Sequence, residues 1–217
     1  MISVHDRPVP LLYLITDRKA GSPTDGATVA QLAEFLLDAA EAGVDMIQIR
    51  ERDLSGRELF ELTKAVFEST KPYGADVFVN DRADIAAALP GVGVHLTTRS
   101  IPANVVRAAF GGKLKIGVST HSLQEAKTAE EGGADFVVFG PVFETASKKQ
   151  YGAPVGIAAL GEVAARVTIP VFALGGVNLS NYREALDAGA VGIAGISIFN
   201  QASDVADVVR ALKGPGK

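Results

Sequence analysis

The stretch LKIGVSTHSLQEAKTAEEGGADFVVFG, residues 114–140, decides the fold. It opens on the apolar run LKIGV (114–118), passes through the polar STHS, and continues in SLQEAKTAEEGG (122–133), which has helical spacing. Ser122 stands where a helix N-cap would, with Glu125 three residues on, the spacing of a reciprocal capping box. A glycine pair ends the pattern, and a second apolar run, DFVVFG (135–140), follows. This is one strand–helix–strand unit.

The same plan recurs along the chain. Further apolar runs are LLYLI (11–15), VDMIQI (44–49), DVFV (76–79), VGVHL (92–96), IPVFAL (169–174) and VGIAGI (191–196). They are nearly unbroken rather than alternating, as strands buried on both faces are. Helical patterns lie at 30–43, 179–189 and 204–214, the first ending at a glycine. Eight strand candidates repeat roughly every 25 residues, which predicts a single (βα)8 TIM barrel. An open doubly wound sheet is the rival, and it usually has fewer strands at this length. One domain is expected over 1–217, with 1–10 as a leader and 214–217 as a tail.

Bulk properties narrow the function. With 217 residues the chain can bury a real core. A net charge of -4 offers no basic footprint for nucleic acid and no polybasic membrane patch. No cysteine is present, which excludes thiolate metal sites, disulfides and cysteine nucleophiles. No apolar run approaches the ~18 residues of a membrane span, and MISVHDRPVP lacks the apolar core of a signal peptide. A cytoplasmic protein is expected. A homodimer is one assembly that stays open.

In a barrel of this kind the active site lies at the C-terminal ends of the strands, so the polar residues after each apolar run are the candidates. Gln48, Arg50 and Arg52 alternate, which on an extended strand end points all three one way, towards an anion. The glycines of ALGGVN (173–178) and Ser197 after the eighth run read as a phosphate site, with a helix N-terminus behind Ser197. The plainer reading of the glycines is a tight turn. GPVFETASKKQYG (140–152) carries Thr145, Ser147, Lys148 and Lys149, either as a phosphate clamp or as a solvated basic loop.

LYLITD (12–17), QIRERD (48–53), VND (79–81), GVHL (93–96), GVSTHS (117–122), the GPVFETASKK loop and ALGGV together resemble the thiamin phosphate synthase family over nearly the whole chain. The superfamily also includes thiazole tautomerases, and IRER, HSLQEA and the VFET…KK loop resemble that branch more closely. The synthase resemblance implies a transferase of thiamin biosynthesis. A hydroxymethylpyrimidine diphosphate loses pyrophosphate to leave a carbocation, which the nitrogen of a thiazole phosphate captures, with Mg²⁺ assisting.

By that resemblance Gln48, Arg50, Asn80 and Ser119 hold the pyrimidine diphosphate. Arg52 replaces a Lys, and Asp81 is a metal ligand. Thr145, Ser147 and Lys148 form the phosphate and pyrophosphate loop, with Ser147 in place of a Thr. Gly176, Ile196 and Ser197 cradle the thiazole phosphate. Arg50, Lys148, Ser119 and His121 are the expected catalytic residues. HLTTRSIP (95–102) departs from the family. Its Asp, a second metal ligand, is here Ser100, and Arg99 adds a positive charge beside the expected metal. Mg²⁺ often needs only one or two carboxylates plus substrate oxygens, so Asp81 alone makes a weakened site; alternatively Arg99 supplies the charge. The tautomerase reading lacks its His after strand six, where Pro141 stands, and leaves His121 as acid–base or as a cap of the following helix. His95 reads as structural. The third alternative is a phosphate-binding relative without catalysis.

Overall fold

The computed structural model describes residues 8–18, 27–145 and 153–214. Ser147, Lys148 and Lys149, most of the expected leader and most of the expected tail lie outside the described residues. The strands are β1 (Leu11–Ile15), β2 (Met46–Ile49), β3 (Asp76–Asn80), β4 (Gly93–Leu96), β5 (Ile116–Thr120), β6 (Phe136–Phe139), β7 (Val171–Leu174) and β8 (Gly192–Gly195). All pair in parallel, in sequence order, and β8 returns to β1 to close the barrel. The predicted TIM barrel is therefore the observed fold.

The helices are α1 (Val29–Glu41), α2 (Gly56–Thr70), α3 (Ala83–Ala88), α4 (Ala103–Phe110), α5 (Leu123–Glu131), α6 (Gly156–Arg166), α7 (Tyr182–Asp187), α8 (Ser197–Asn200) and α9 (Val205–Lys213). Thr28 with Gln31 and Ser55 with Glu58 form complete capping boxes for α1 and α2. At α5 only half the expected box forms. Ser122 Oγ accepts from Glu125 N at 3.2 Å, but Glu125 Oε2 turns to His121 N at 2.6 Å.

Strand alternation sorts the side chains into two cores. Outward residues such as Leu12, Ile47, Val77, Val94 and Val137 pack under the helices. Inward residues build a smaller cluster around Tyr13, Phe78, Phe136 and Phe172. These rings meet edge to face, Phe78 and Phe136 with centroids 5.2 Å apart and Tyr13 and Phe136 5.7 Å apart. Phe78 and Phe136 fit because Gly93 and Gly117, their partners across neighbouring strands, leave them room. A Cβ on Gly117 would lie 2.7 Å from Phe136 Cε2 and 2.9 Å from His95 Nδ1.

The N-terminal ends of the strands are tied by ion pairs. Lys115 Nζ meets Asp76 Oδ2 at 2.9 Å, and Lys213 Nζ meets Asp45 Oδ2 at 2.7 Å. In this fold the opposite, C-terminal ends of the strands carry the chemistry.

Gly117→Ala should lower the urea unfolding free energy by about 1–3 kcal/mol through overpacking. Gly112→Ala, where a Cβ meets nothing within 4 Å, should leave it within about 0.5 kcal/mol. Equal stability of both variants would refute the glycine–ring account.

Candidate active site

Immediately above the rings the barrel interior turns polar. Gln48, Asn80, His95 and Ser119 continue the inward positions of β2, β3, β4 and β5, which are adjacent strands. Gln48 is buried, and its Nε2 has no hydrogen-bond partner among the described residues. A buried unpaired donor costs about 1–3 kcal/mol, which makes this amide a candidate ligand contact. His95 is buried between two hydroxyls, with Nδ1 3.2 Å from Tyr13 Oη and Nε2 2.8 Å from Ser119 Oγ. Burial, then the nearby Arg50 charge, pushes the His95 pKa down to about 3. Burial also pushes the Tyr13 phenol well above its ordinary value. Both groups are neutral near pH 7.

Arg50 follows β2 directly. Its Nη1 pairs with Asp17 Oδ2 at 2.8 Å, and its N–H donates to the buried Thr16 Oγ1 at 2.9 Å. The predicted alternation stops there. β2 ends at Ile49, Glu51 is buried, and Arg52 sits exposed in a turn. The cause is a charge pair that the spacing did not reveal: Arg18 Nε holds Glu51 Oε2 at 3.0 Å, and Arg18 Nη2 holds Asp53 Oδ2 at 2.9 Å. Arg18 so ties the loop after β1 to the loop after β2.

Asp81 follows β3 with φ 66°, the non-glycine positive φ among the described residues. Asp tolerates this left-handed region at a cost. Its N–H donates to His95 O at 2.9 Å, and it is exposed. Ser100 offers nothing in place of a second carboxylate. Its Oγ accepts from Thr97 N at 2.7 Å and lies 3.0 Å from Thr97 Oγ1, closing the Thr97–Ser100 turn on itself. Arg99 is exposed in that turn. Among the described residues no group of three or more His, Asp or Glu side chains is placed to hold a metal.

The loops after β6 and β7 fit against each other. Phe143 N donates to Gly175 O at 2.9 Å, and Val142 N to Leu174 O at 2.8 Å. Gly175 and Gly176 both have positive φ, 95° and 67°. A Cβ on Gly175 would lie 2.6 Å from Pro141 Cα, and one on Gly176 would strike Glu144 O. The turn reading of these glycines therefore holds, because they admit the neighbouring chain. Thr145 is half-buried at the described end of the β6 loop. Ile196 packs on the inner cluster beside Ala194, and Ser197 opens α8, exposed. His121 Nδ1 lies 3.1 Å from Glu125 Oε2, a contact that suits the helix-orienting reading.

Two partners escaped the sequence reading. Tyr13 carried a signal, a polar-tipped ring at an inward position of β1. Arg18 carried none, since its partners lie far along the chain.

The model of the thiamine monophosphate synthase family matches residues 12–199. The chain belongs to the thiamine monophosphate synthase family. It is 40% identical to the thiamine-phosphate synthase of Chlorobium phaeobacteroides, covering 94% of each chain. It is 37% identical to that of Roseiflexus sp., covering 97% of this chain and 89% of the relative. The solved thiamine phosphate pyrophosphorylase from Pyrococcus furiosus superposes with a TM-score of 0.81 at 36% identity, over 94% of this chain and 93% of that one. Membership in the thiamine monophosphate synthase family agrees with the sequence resemblance and covers the whole barrel.

The lowered His95 pKa links stability to pH. Below the ordinary value of 6.5 the unfolded chain binds a proton that the folded chain refuses until about pH 3. Stability from this group is complete above pH 6.5 and declines as pH falls, by about 1.4 kcal/mol per pH unit. Urea unfolding at pH 7, 6 and 5 should show the decline steepening towards this slope near pH 5, and His95→Gln should flatten it. The lowered carboxyls of Asp84, held by Arg82, and Glu130, held by Thr168, contribute mainly nearer pH 4.

Proposed function

We propose that this chain is a transferase that joins hydroxymethylpyrimidine diphosphate to thiazole phosphate and releases pyrophosphate, forming thiamin phosphate in the cytoplasm. The observation that carries the reading is the inward polar tier on β2 to β5, with the Gln48 Nε2 buried and without a partner among the described residues. Family membership and the relatives named thiamine-phosphate synthase support it.

The C–O bond between the pyrimidine methylene and the diphosphate breaks, and its electron pair leaves with pyrophosphate. The thiazole nitrogen then donates its pair to the methylene carbon. The protein's work is to hold the leaving group, balance its growing charge and align the nitrogen. Gln48 donates to the pyrimidine diphosphate. Arg50, prepositioned by Asp17, grips diphosphate oxygens through parallel N–H bonds. Asn80 and Ser119 donate to the same group. Thr145, Ser147 and Lys148 take the pyrophosphate and the thiazole phosphate, with Gly176, Ile196 and Ser197 on the far side. Arg52 lies at the rim.

Magnesium would arrive with the diphosphate, and Asp81 is the carboxylate that would hold it here. When bound it supplies positive charge against the departing pyrophosphate.

Purified protein given both substrates should yield thiamin phosphate and pyrophosphate only when Mg²⁺ is added. No product over a wide range of Mg²⁺ would end the reading. Arg50→Ala should lower kcat/KM by roughly 100-fold or more, and Asp81→Asn should raise the Mg²⁺ needed for half-maximal rate. Arg99→Ala with undiminished turnover would remove Arg99 as a substitute charge.

A further inference from the structure

Tyr13, His95 and Ser119 form a chain of hydrogen bonds from the aromatic floor of the barrel to the site. Tyr13 has no exposed surface and His95 is 2% exposed. Neither can touch a substrate at the mouth. Their order is fixed by chemistry. The phenol keeps its proton, since burial pushes its pKa up, and rings and apolar side chains otherwise surround it. Its acceptor is His95 Nδ1 at 3.2 Å. A neutral imidazole accepting at Nδ1 carries its proton at Nε2. That proton goes to Ser119 Oγ at 2.8 Å. Ser119 therefore receives a hydrogen bond from below, and its own hydroxyl proton is directed away from His95.

We propose that Tyr13 and His95 are positioning residues that lock the Ser119 hydroxyl as a donor to an anionic oxygen at the mouth of the barrel. Without the lock, the imidazole can shift its proton to Nδ1 and accept from Ser119, turning the hydroxyl proton down. The mouth would then meet an oxygen lone pair, which repels a diphosphate. The inference rests on the reading that Ser119 contacts the diphosphate.

The test is a double-variant cycle on binding of inorganic pyrophosphate, titrated with Mg²⁺ present into the full chain, Tyr13→Phe, Ser119→Ala and the double variant. Tyr13→Phe should weaken binding roughly tenfold, and should cause no further loss once Ser119 is Ala. An equal loss in both backgrounds means that Tyr13 acts on structure alone and overturns the proposal. So does an unchanged affinity in Tyr13→Phe, or a wild-type chain that binds no pyrophosphate.

His95→Leu and His95→Gln give a second decision should Tyr13→Phe fail to fold. The Gln amide can donate to Ser119, so it should restore most of the binding that Leu loses. Equal loss in both overturns the lock. Coupled pyrophosphate binding without thiamin phosphate formation would sink the synthase reading and leave the lock standing. Turnover with an additive cycle would do the reverse.

Discussion

A closed barrel of eight short strands must fill its own interior. The tier of Tyr13, Phe78, Phe136 and Phe172 meets that constraint, and the rest of the molecule depends on it. Phe78 and Phe136 fit in the floor only because Gly93 and Gly117 stand beside them. The packed floor keeps water out from below. The next inward tier, Gln48, Asn80, His95 and Ser119, therefore opens to the strand ends alone. The one ring in the floor with a hydroxyl needs an acceptor, because an unpaired buried O–H is costly. His95 is that acceptor, so a packing requirement extends upward as an ordered line of hydrogen bonds.

Much of this architecture could be read directly. Unbroken apolar runs mark strands covered on both faces, and all eight were located. Their starts came a residue or two early at VDMIQI and IPVFAL, because hydropathy does not mark where pairing begins. Membership of the polar tier followed from position after each run. The interactions within it did not. Tyr13 and His95 are 82 residues apart, and their meeting is set by the stagger of strands around the barrel. The Gln48–Arg50–Arg52 alternation failed for a related reason: Arg18, far along the chain, pulls Glu51 inward. At α5 a valid capping spacing was redirected because Glu125 had a better partner in the His121 backbone and ring.

Glycine shows how one residue type carries two explanations. In the sequence, the glycines of ALGGVN read first as a phosphate approach, with a tight turn as the plainer alternative. The structure gives them a cause in the chain itself, since the β6 loop backbone occupies the space where their Cβ atoms would be. Two loops assigned to phosphate groups are thereby made one unit, joined by Phe143 N to Gly175 O and Val142 N to Leu174 O. The argument for phosphate there moves from the glycines to the hydroxyls and ammonium groups around them.

Hydrogen-bonding capacity separates the remaining candidates. Ser100 stands where a metal ligand was expected, but its hydroxyl is committed to Thr97. The His121 Nδ1 atom is taken up by Glu125. Gln48 is the opposite case, a buried amide nitrogen without a partner among the described residues. Ser119 stands between them. It has a partner, yet that partner is a neutral imidazole held by Tyr13 as a donor, so the serine keeps its proton for something else. A side chain is available to a ligand to the degree that its neighbours leave a donor or acceptor unmet. By that measure the site centres on β2 and β5, and the turn at Thr97–Ser100 is a closed piece of scaffold beside it.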